Sequence, residues 1–214
     1  MEAVRLLRRA RRPNIIAAMA NEPAPFGPAG DPGRHLALGE LESRLARLPA
    51  APRDAGQIAL VVRRHPDKAR ELLERVELGP GLGIPGDAWG RQRARDAEAE
   101  LTVMEAAVAE LIANGQTLSV FGDNLFVRLD LSRGNLPVGT RLRVGSAVLE
   151  VTAKPHDGCR KFAARFGHDA LRLVSKPELR SRNLRGIYMR VVEAGTVDRG
   201  APVEVLSRPR AAER

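Results

Sequence analysis

The sequence predicts a mainly β fold, a closed or partly closed barrel of short strands decorated with short α-helices. Three observations carry the expectation. Short apolar, β-branched runs recur along the 214-residue chain and are punctuated by glycine, the pattern of a small barrel. RLRV and AVLEVTA flank Gly145-Ser146, a hairpin signal. There is neither an internal repeat nor a regular strand–helix alternation, which argues against a Rossmann-like sheet.

Residues 1–34 are expected to be a disordered basic and Pro/Gly-rich segment, because residues 21–34 alone hold four Pro and three Gly. Residues 35–55 form a short helix and linker. In LALGELESRLARL, Leu38, Leu41, Leu45 and Leu48 recur at helical spacing. The barrel domain occupies 56–207, and 208–214 is a basic tail. Within the barrel, QIALVVR (57–63) reads as a buried strand and DKARELLERVEL (67–78) as a helix. GPGLGIPGDAWG (79–90) is a structured loop. RQRARDAEAE (91–100) is charged and exposed. AELTVMEAAVAELIANG (99–115) is a strand followed by a helix that stops at Asn114-Gly115. FGDNLFVRLDL (121–131) suggests a strand, and CRKFAARFG and HDALRLVS suggest short helices. RGIYMRVVEAGTVDRGAPVEVL reads as strand, turn and strand.

Composition excludes several classes. One cysteine forbids an intramolecular disulfide. The net charge of +9 is concentrated at the ends: residues 1–18 carry +4 and Arg208–Arg214 carry +2, which leaves +3 on the body. With only seven aromatic residues and no reading helix, specific nucleic-acid binding is disfavoured. The apolar run Ile15–Ala20 is six residues long, short of the ~7–15 of a secretory core. No run approaches the ~18 residues of a membrane span. A cytoplasmic protein is expected, with residues 1–18 a possible start-site extension ahead of Met19.

The chemistry centres on KPHDGCRKFAARFG (154–167), which holds Cys159. A thiol before a helical stretch, with Arg160 and Lys161 after it, sits where backbone N–H groups and fixed positive charge stabilise a thiolate. Such a thiolate can ligate a soft metal, carry a persulfide or attack an electrophile. The competing account is packing, since Cys159, Phe162 and Phe166 share one helical face. His156 and Cys159 make an H-x-x-C pair with Asp157 between them. A zinc site wants four ligands, and no partner cysteine exists. Arg180, Arg182 and Arg185 precede a strand and can clamp an anion, or form a solvated basic loop. Lys154 ends the strand that leads toward Cys159. GLGIPGD and FGDN are Gly-plus-acid turns, and no Walker sequence or Ser-His-Asp order is present.

Taken in order, GLGIPGD (81–87), LTVMEAAVAEL (101–111), FGDNLFV (121–127), VGTRLRVGSAVLEVT (138–152), HDGCRKF (156–162) and RGIYMRVVEAGTVDRGAPVEV (185–205) resemble the MOSC domain family, named for the C-terminal domain of molybdenum-cofactor sulfurases. The resemblance covers about residues 56–206. It implies a compact MOSC-like β-barrel. It also implies that Cys159 is either the thiolate ligand of molybdenum in the molybdopterin cofactor or a sulfur carrier. Amidoxime-reducing members use the first arrangement on N-hydroxylated compounds. Carried over, the resemblance makes Lys154, Arg182 and Arg185 candidates for the cofactor's phosphate, with His156 beside them. Asn124 would line the pocket, with Asp123 in a slot where many members have Glu. The roles of the arginines and the lysine are inferred from charge and order.

The chain is expected to lack the pyridoxal-phosphate desulfurase half of the fused sulfurases, and a reductase built on it would need an external electron donor. Three functions remain open. They are a molybdenum-cofactor oxidoreductase acting on a small-molecule substrate, a sulfur carrier whose Cys159 persulfide is loaded by a cysteine desulfurase, and a non-catalytic cofactor-binding module.

Overall fold

A computed structural model describes residues 28–209 of the chain. The expectations for residues 1–18 and for most of the N-terminal segment and basic tail lie outside the described residues.

Seven strands close a barrel. They are β1 (Ala55–Arg64), β4 (Leu101–Glu105), β5 (Leu125–Val127), β6 (Arg141–Val144), β7 (Ala147–Val151), β8 (Ile187–Glu193) and β10 (Pro202–Ser207). Around the barrel the order is β10-β6-β7-β8-β4-β5-β1, and β1 returns to β10 through Ala55↔Glu204. Every neighbour is antiparallel except β4 and β5, which run parallel. Their connection contains helix α2 (Ala106–Ala113), the crossover that a parallel pair requires. Outside the barrel, β2 (Arg70–Leu72) extends β1, and β3 (Arg75–Leu78) pairs with β9 (Gly195–Asp198).

Side-chain alternation builds two cores. Val61, Val103, Leu125 and Val127 point into the barrel. Their neighbours Val62, Met104 and Phe126 point outward, into a second core beneath a helical layer. That layer comprises α1 (Leu38–Arg47), α2, α3 (Arg160–Phe166) and α4 (His168–Val174). Strands β1, β4 and β5 are therefore apolar on both faces, and their sequences read as continuous apolar runs. Helix α1 buries Leu41 and Leu45 against α2 and α4. The Asp169 carboxylate accepts from the Leu38 N–H at 3.1 Å and fixes its start.

The helix expected over 67–78 is instead β2 and β3. Leu72 and Leu73 can serve a helix as readily as a strand. Val62↔Leu72 pairing and the alternation of β3, with Val76 and Leu78 buried and Arg75 and Glu77 exposed, decide for strands. The strand expected over 121–131 shrinks to β5, because Phe121 ends a 3₁₀ turn (Leu118–Phe121). The segment read as a turn between two late strands contains a third, β9. Helix α2 stops as expected, with Asn114 left-handed at φ 47°. In the β6–β7 hairpin Gly145 sits at φ +58°, and a Cβ there would lie 2.4 Å from the Thr196 carbonyl oxygen. No other residue fits without moving backbone.

Candidate cofactor site

The turn Gly122–Asn124, between that 3₁₀ segment and β5, organises the site. Asn124 is fully buried and both ends of its side-chain amide are hydrogen-bonded. Its Oδ1 accepts from the Thr102 hydroxyl at 2.9 Å and from Arg64 Nη2 at 3.2 Å, and its Nδ2 donates to the Val62 carbonyl at 3.3 Å. Asn124 thus stitches β1 to β4 and holds its neighbour, Asp123, under the barrel rim.

Asp123 is also fully buried. Its Oδ2 accepts from Arg185 Nη1 at 2.8 Å. Its Oδ1 lies 3.6 Å from His156 Nε2 and has no hydrogen-bond partner. Arg185 enters from the turn before β8, and its guanidinium carbon lies 5.2 Å from the centre of the Phe162 ring on α3. The His156 ring lies 4.5 Å from that of Tyr188. Burial, then the Arg185 charge, lowers the His156 pKa to about 3, so the imidazole is neutral at ordinary pH. Burial raises the Tyr188 hydroxyl, opposed by Arg185 and Lys154. Lys154 pairs with Asp96 and places its ammonium 5.8 Å from the Tyr188 ring centre.

Three further arginines surround the turn. Arg64 grips Asp87 of the GLGIPGD loop, donating Nε to both carboxylate oxygens at 3.0 and 3.1 Å, and gives Nη1 to the Gly122 carbonyl at 3.3 Å. Burial works to raise the Asp87 pKa, but the Arg64 contacts outweigh it and the net shift is downward. Arg165, buried on α3, donates to the Phe121 carbonyl at 3.0 Å. Burial, followed by the charges of Arg165 and Arg64, lowers Arg70 on β2 to a pKa of about 10. Gly122 makes this crowding possible: at φ +79°, a Cβ would meet Arg70 Nη2 at 3.2 Å and Arg165 Nη1 at 3.4 Å.

Cys159 is exposed. Its extended backbone begins α3, its carbonyl accepts from the Ala163 N–H at 3.0 Å, and its side chain makes no capping bond. Phe162 and Phe166 are buried at 2% and 1% exposure, so the thiol leaves the helical face that they fill. The packing account of Cys159 does not fit this arrangement.

The structure brings Asp123, His156 and Arg185 together, with Lys154 beside them. His156, Arg185 and Lys154 all line a cavity of about 410 Å³. Arg182 stands apart, exposed beside Glu42, Leu45 and Lys176 in a separate groove on the helical layer. Sequence reasoning missed Arg64, Arg70 and Arg165. They lie on three different elements, and only the topology gathers them. Asp87, the acid of GLGIPGD, gave the one local hint.

The chain is a small closed-barrel protein with a buried carboxylate–imidazole–guanidinium group, several arginines around one turn and an exposed cysteine at a helix start. Residues 91–204, just over half of the chain, match the MOSC domain, and the chain belongs to that family. It is 33% identical over 99 residues to YflK of Bacillus subtilis (strain 168), an alignment spanning 46% of this chain and 42% of that protein. The chain therefore covers less than half the length of this relative. The fold is shared with the crystal structure of the YUAD protein from Bacillus subtilis, with a TM-score of 0.56 and 18% identity over 75% of this chain and 100% of that one. It is also shared with YiiM from Geobacillus stearothermophilus, with a TM-score of 0.52 and 19% identity over 73% of this chain and 78% of that one. Among the described residues no helix is long and apolar enough to cross a membrane.

Proposed function

We propose that this MOSC protein binds a molybdenum–pterin cofactor, with Cys159 as the thiolate ligand of the metal, and reduces small N-hydroxylated compounds using electrons from an external donor. The observation that carries the reading is an exposed thiol at the start of α3, three residues after His156 of the cationic, partly orphaned polar group around Asp123.

The residues fit such a group. A thiolate is the soft donor that molybdenum takes. Arg165, Arg185 and Lys154 supply positive charge for an anionic pterin phosphate. Asp123 Oδ1, His156 Nδ1 and Arg185 Nε are buried without partners, and unpaired buried polar atoms of this kind are commonly completed by a ligand. When bound, the metal centre would supply the two-electron and oxygen-transfer chemistry.

The protein's own part is binding and orientation. Asp123 holds Arg185 in place. Neutral His156 offers a ring N–H or a lone pair rather than a charge. Asn124, committed to β1 and β4, keeps Asp123 rigid.

The test is molybdenum content and intact mass of the wild type and Cys159→Ala, purified anaerobically from a host that makes the cofactor. Near-stoichiometric molybdenum in the wild type and none in the variant is expected. No metal in either sinks the reading. The second reading is a sulfur carrier served by a cysteine desulfurase, favoured by an accessible thiol that makes no capping bond. It predicts a reducible mass gain of one sulfur on Cys159 and no molybdenum.

A further inference from the structure

The loop GPGLGIPGDAWG and the arginines that follow it form a surface that the proposed reaction leaves unused. Across residues 79–95 the cations are Arg91, Arg93 and Arg95, and the sole carboxylate is Asp87. Asp87 is 2% exposed and spent on Arg64, so the exposed charge of this stretch is three guanidiniums with no acid among them. Two of them are held by neutral acceptors. Arg91 donates to the Gly86 carbonyl and, at 3.0 Å, to the Arg64 carbonyl. Arg95 donates to the Gly81 carbonyl at 2.9 Å and lies 5.4 Å from the centre of the Trp89 ring. Among the described residues Arg93 has no hydrogen-bond or ion-pair partner. A guanidinium carries five N–H groups, so all three keep donors for an incoming anion.

An apolar seat lies beside these charges. Leu82, 59% exposed, is the most exposed large apolar side chain among the described residues. Its backbone is fixed on both sides: its own N–H donates to the Gly79 carbonyl at 2.9 Å, and the Gly83 N–H donates to the buried Glu100 carboxylate at 2.8 Å. Leu82, Pro85, Arg91 and Arg95 border a shallow pocket of about 220 Å³. Held arginines around an apolar seat match a protein surface that offers carboxylates around one apolar residue. A nucleic acid would want an exposed ring to stack on, and Trp89, the aromatic of this face, is 5% exposed.

The surface adjoins the site. Arg64, whose carbonyl takes Arg91, reaches Asn124 with its side chain, and Asp96, next to Arg95, pairs with Lys154 of the 410 Å³ cavity. We propose that this face docks an acidic protein partner, its carboxylates on Arg91, Arg93 and Arg95 and one apolar side chain against Leu82. Taking that partner as the electron donor rests on the preceding reading; the docking does not.

Fluorescence anisotropy on the full chain at pH 7 tests it with a labelled peptide of alternating Asp and Glu around one central Phe, and with the same peptide carrying Ser for Phe. The Phe peptide is expected to bind at least ~5-fold more tightly than the Ser peptide. Its affinity should fall ~10-fold or more between about 50 and about 500 mM salt. Arg93→Glu and, separately, Leu82→Ser should each weaken it ~5-fold or more at an unchanged melting temperature, because both side chains are exposed. Arg47→Glu, the same charge change at the end of α1, should have no effect. No saturation at millimolar peptide, equal binding of the Ser peptide, wild-type affinity in either variant, or an equal loss in Arg47→Glu would each overturn the proposal. Tighter, Arg93-dependent binding of phosphatidylserine vesicles or of a single-stranded oligonucleotide would assign the face to a membrane or a nucleic acid and overturn it too. Cys159→Ala should retain the affinity. Peptide binding without molybdenum therefore sinks only the metal reading, and molybdenum without peptide binding sinks only the docking.

Discussion

Asp123 supplies the buried counter-charge for Arg185, and its loss should be felt in stability before function. Asp123→Asn leaves that guanidinium buried without a carboxylate, which costs about 3 kcal/mol in a chemical unfolding titration. Removing both charges, as Asp123→Leu with Arg185→Met, should recover part of that loss. His156 and Glu105 give opposite pH signatures. The His156 pKa falls from 6.5 to about 3. Across that window the unfolded chain binds a proton that the folded chain refuses, so stability drops on acidification, by on the order of 2–4 kcal/mol. His156→Gln should flatten this acid slope; an unchanged slope would assign it to other groups. Burial, and then Asp130, raises Glu105 from 4.5 to about 7. There the folded chain holds the extra proton, and stability drops as pH rises from 4.5 through 7. Glu105→Gln should stabilise the protein at pH 8 by about 1–2 kcal/mol, allowing for solvent screening, and hardly at all at pH 4.5.

The β6–β7 hairpin and helix α1 show how differently two elements are specified. Gly145 is fixed by backbone geometry, since a Cβ would strike the Thr196 carbonyl. Gly145→Ala should cost about 2 kcal/mol in thermal unfolding, from the positive φ and the close approach together. Helix α1 was legible because its leucines fall at helical spacing, and two of them are buried against α2 and α4. Leu41→Ala should cost about 2–4 kcal/mol, while an alanine at exposed Glu40 should be near neutral. Residues 67–78 were not legible. Their leucines and valine satisfy both periods; β2 turns back onto neighbouring β1, and β3 is fixed by pairing with the distant β9.

Across the molecule, the barrel is closed by a long-range return of β1 to β10, and the helical layer is laid over one side of it. Strands β1, β4 and β5 are buried between both cores, so the amides of Val62, Val103 and Phe126 should be the slowest to exchange with deuterium. Those of α1 should exchange faster. Equal protection in α1 would mean that the two cores open as one unit.

The sequence by itself determined the barrel, its hairpin, the helix stop at Asn114 and the position of the cysteine, because each depends on local periodicity, a turn residue or order along the chain. It also named Asp123, His156, Arg185 and Lys154, which come together. Only the tertiary structure decided that Cys159 is exposed while Phe162 and Phe166 are buried. Only it drew Arg64, Arg70 and Arg165 around Gly122, and only it separated Arg182 from Arg185. The physical reason is the same in each case. A side chain's neighbours across a closed barrel come from strands and helices far apart in sequence, and no local pattern records which charges will share a turn.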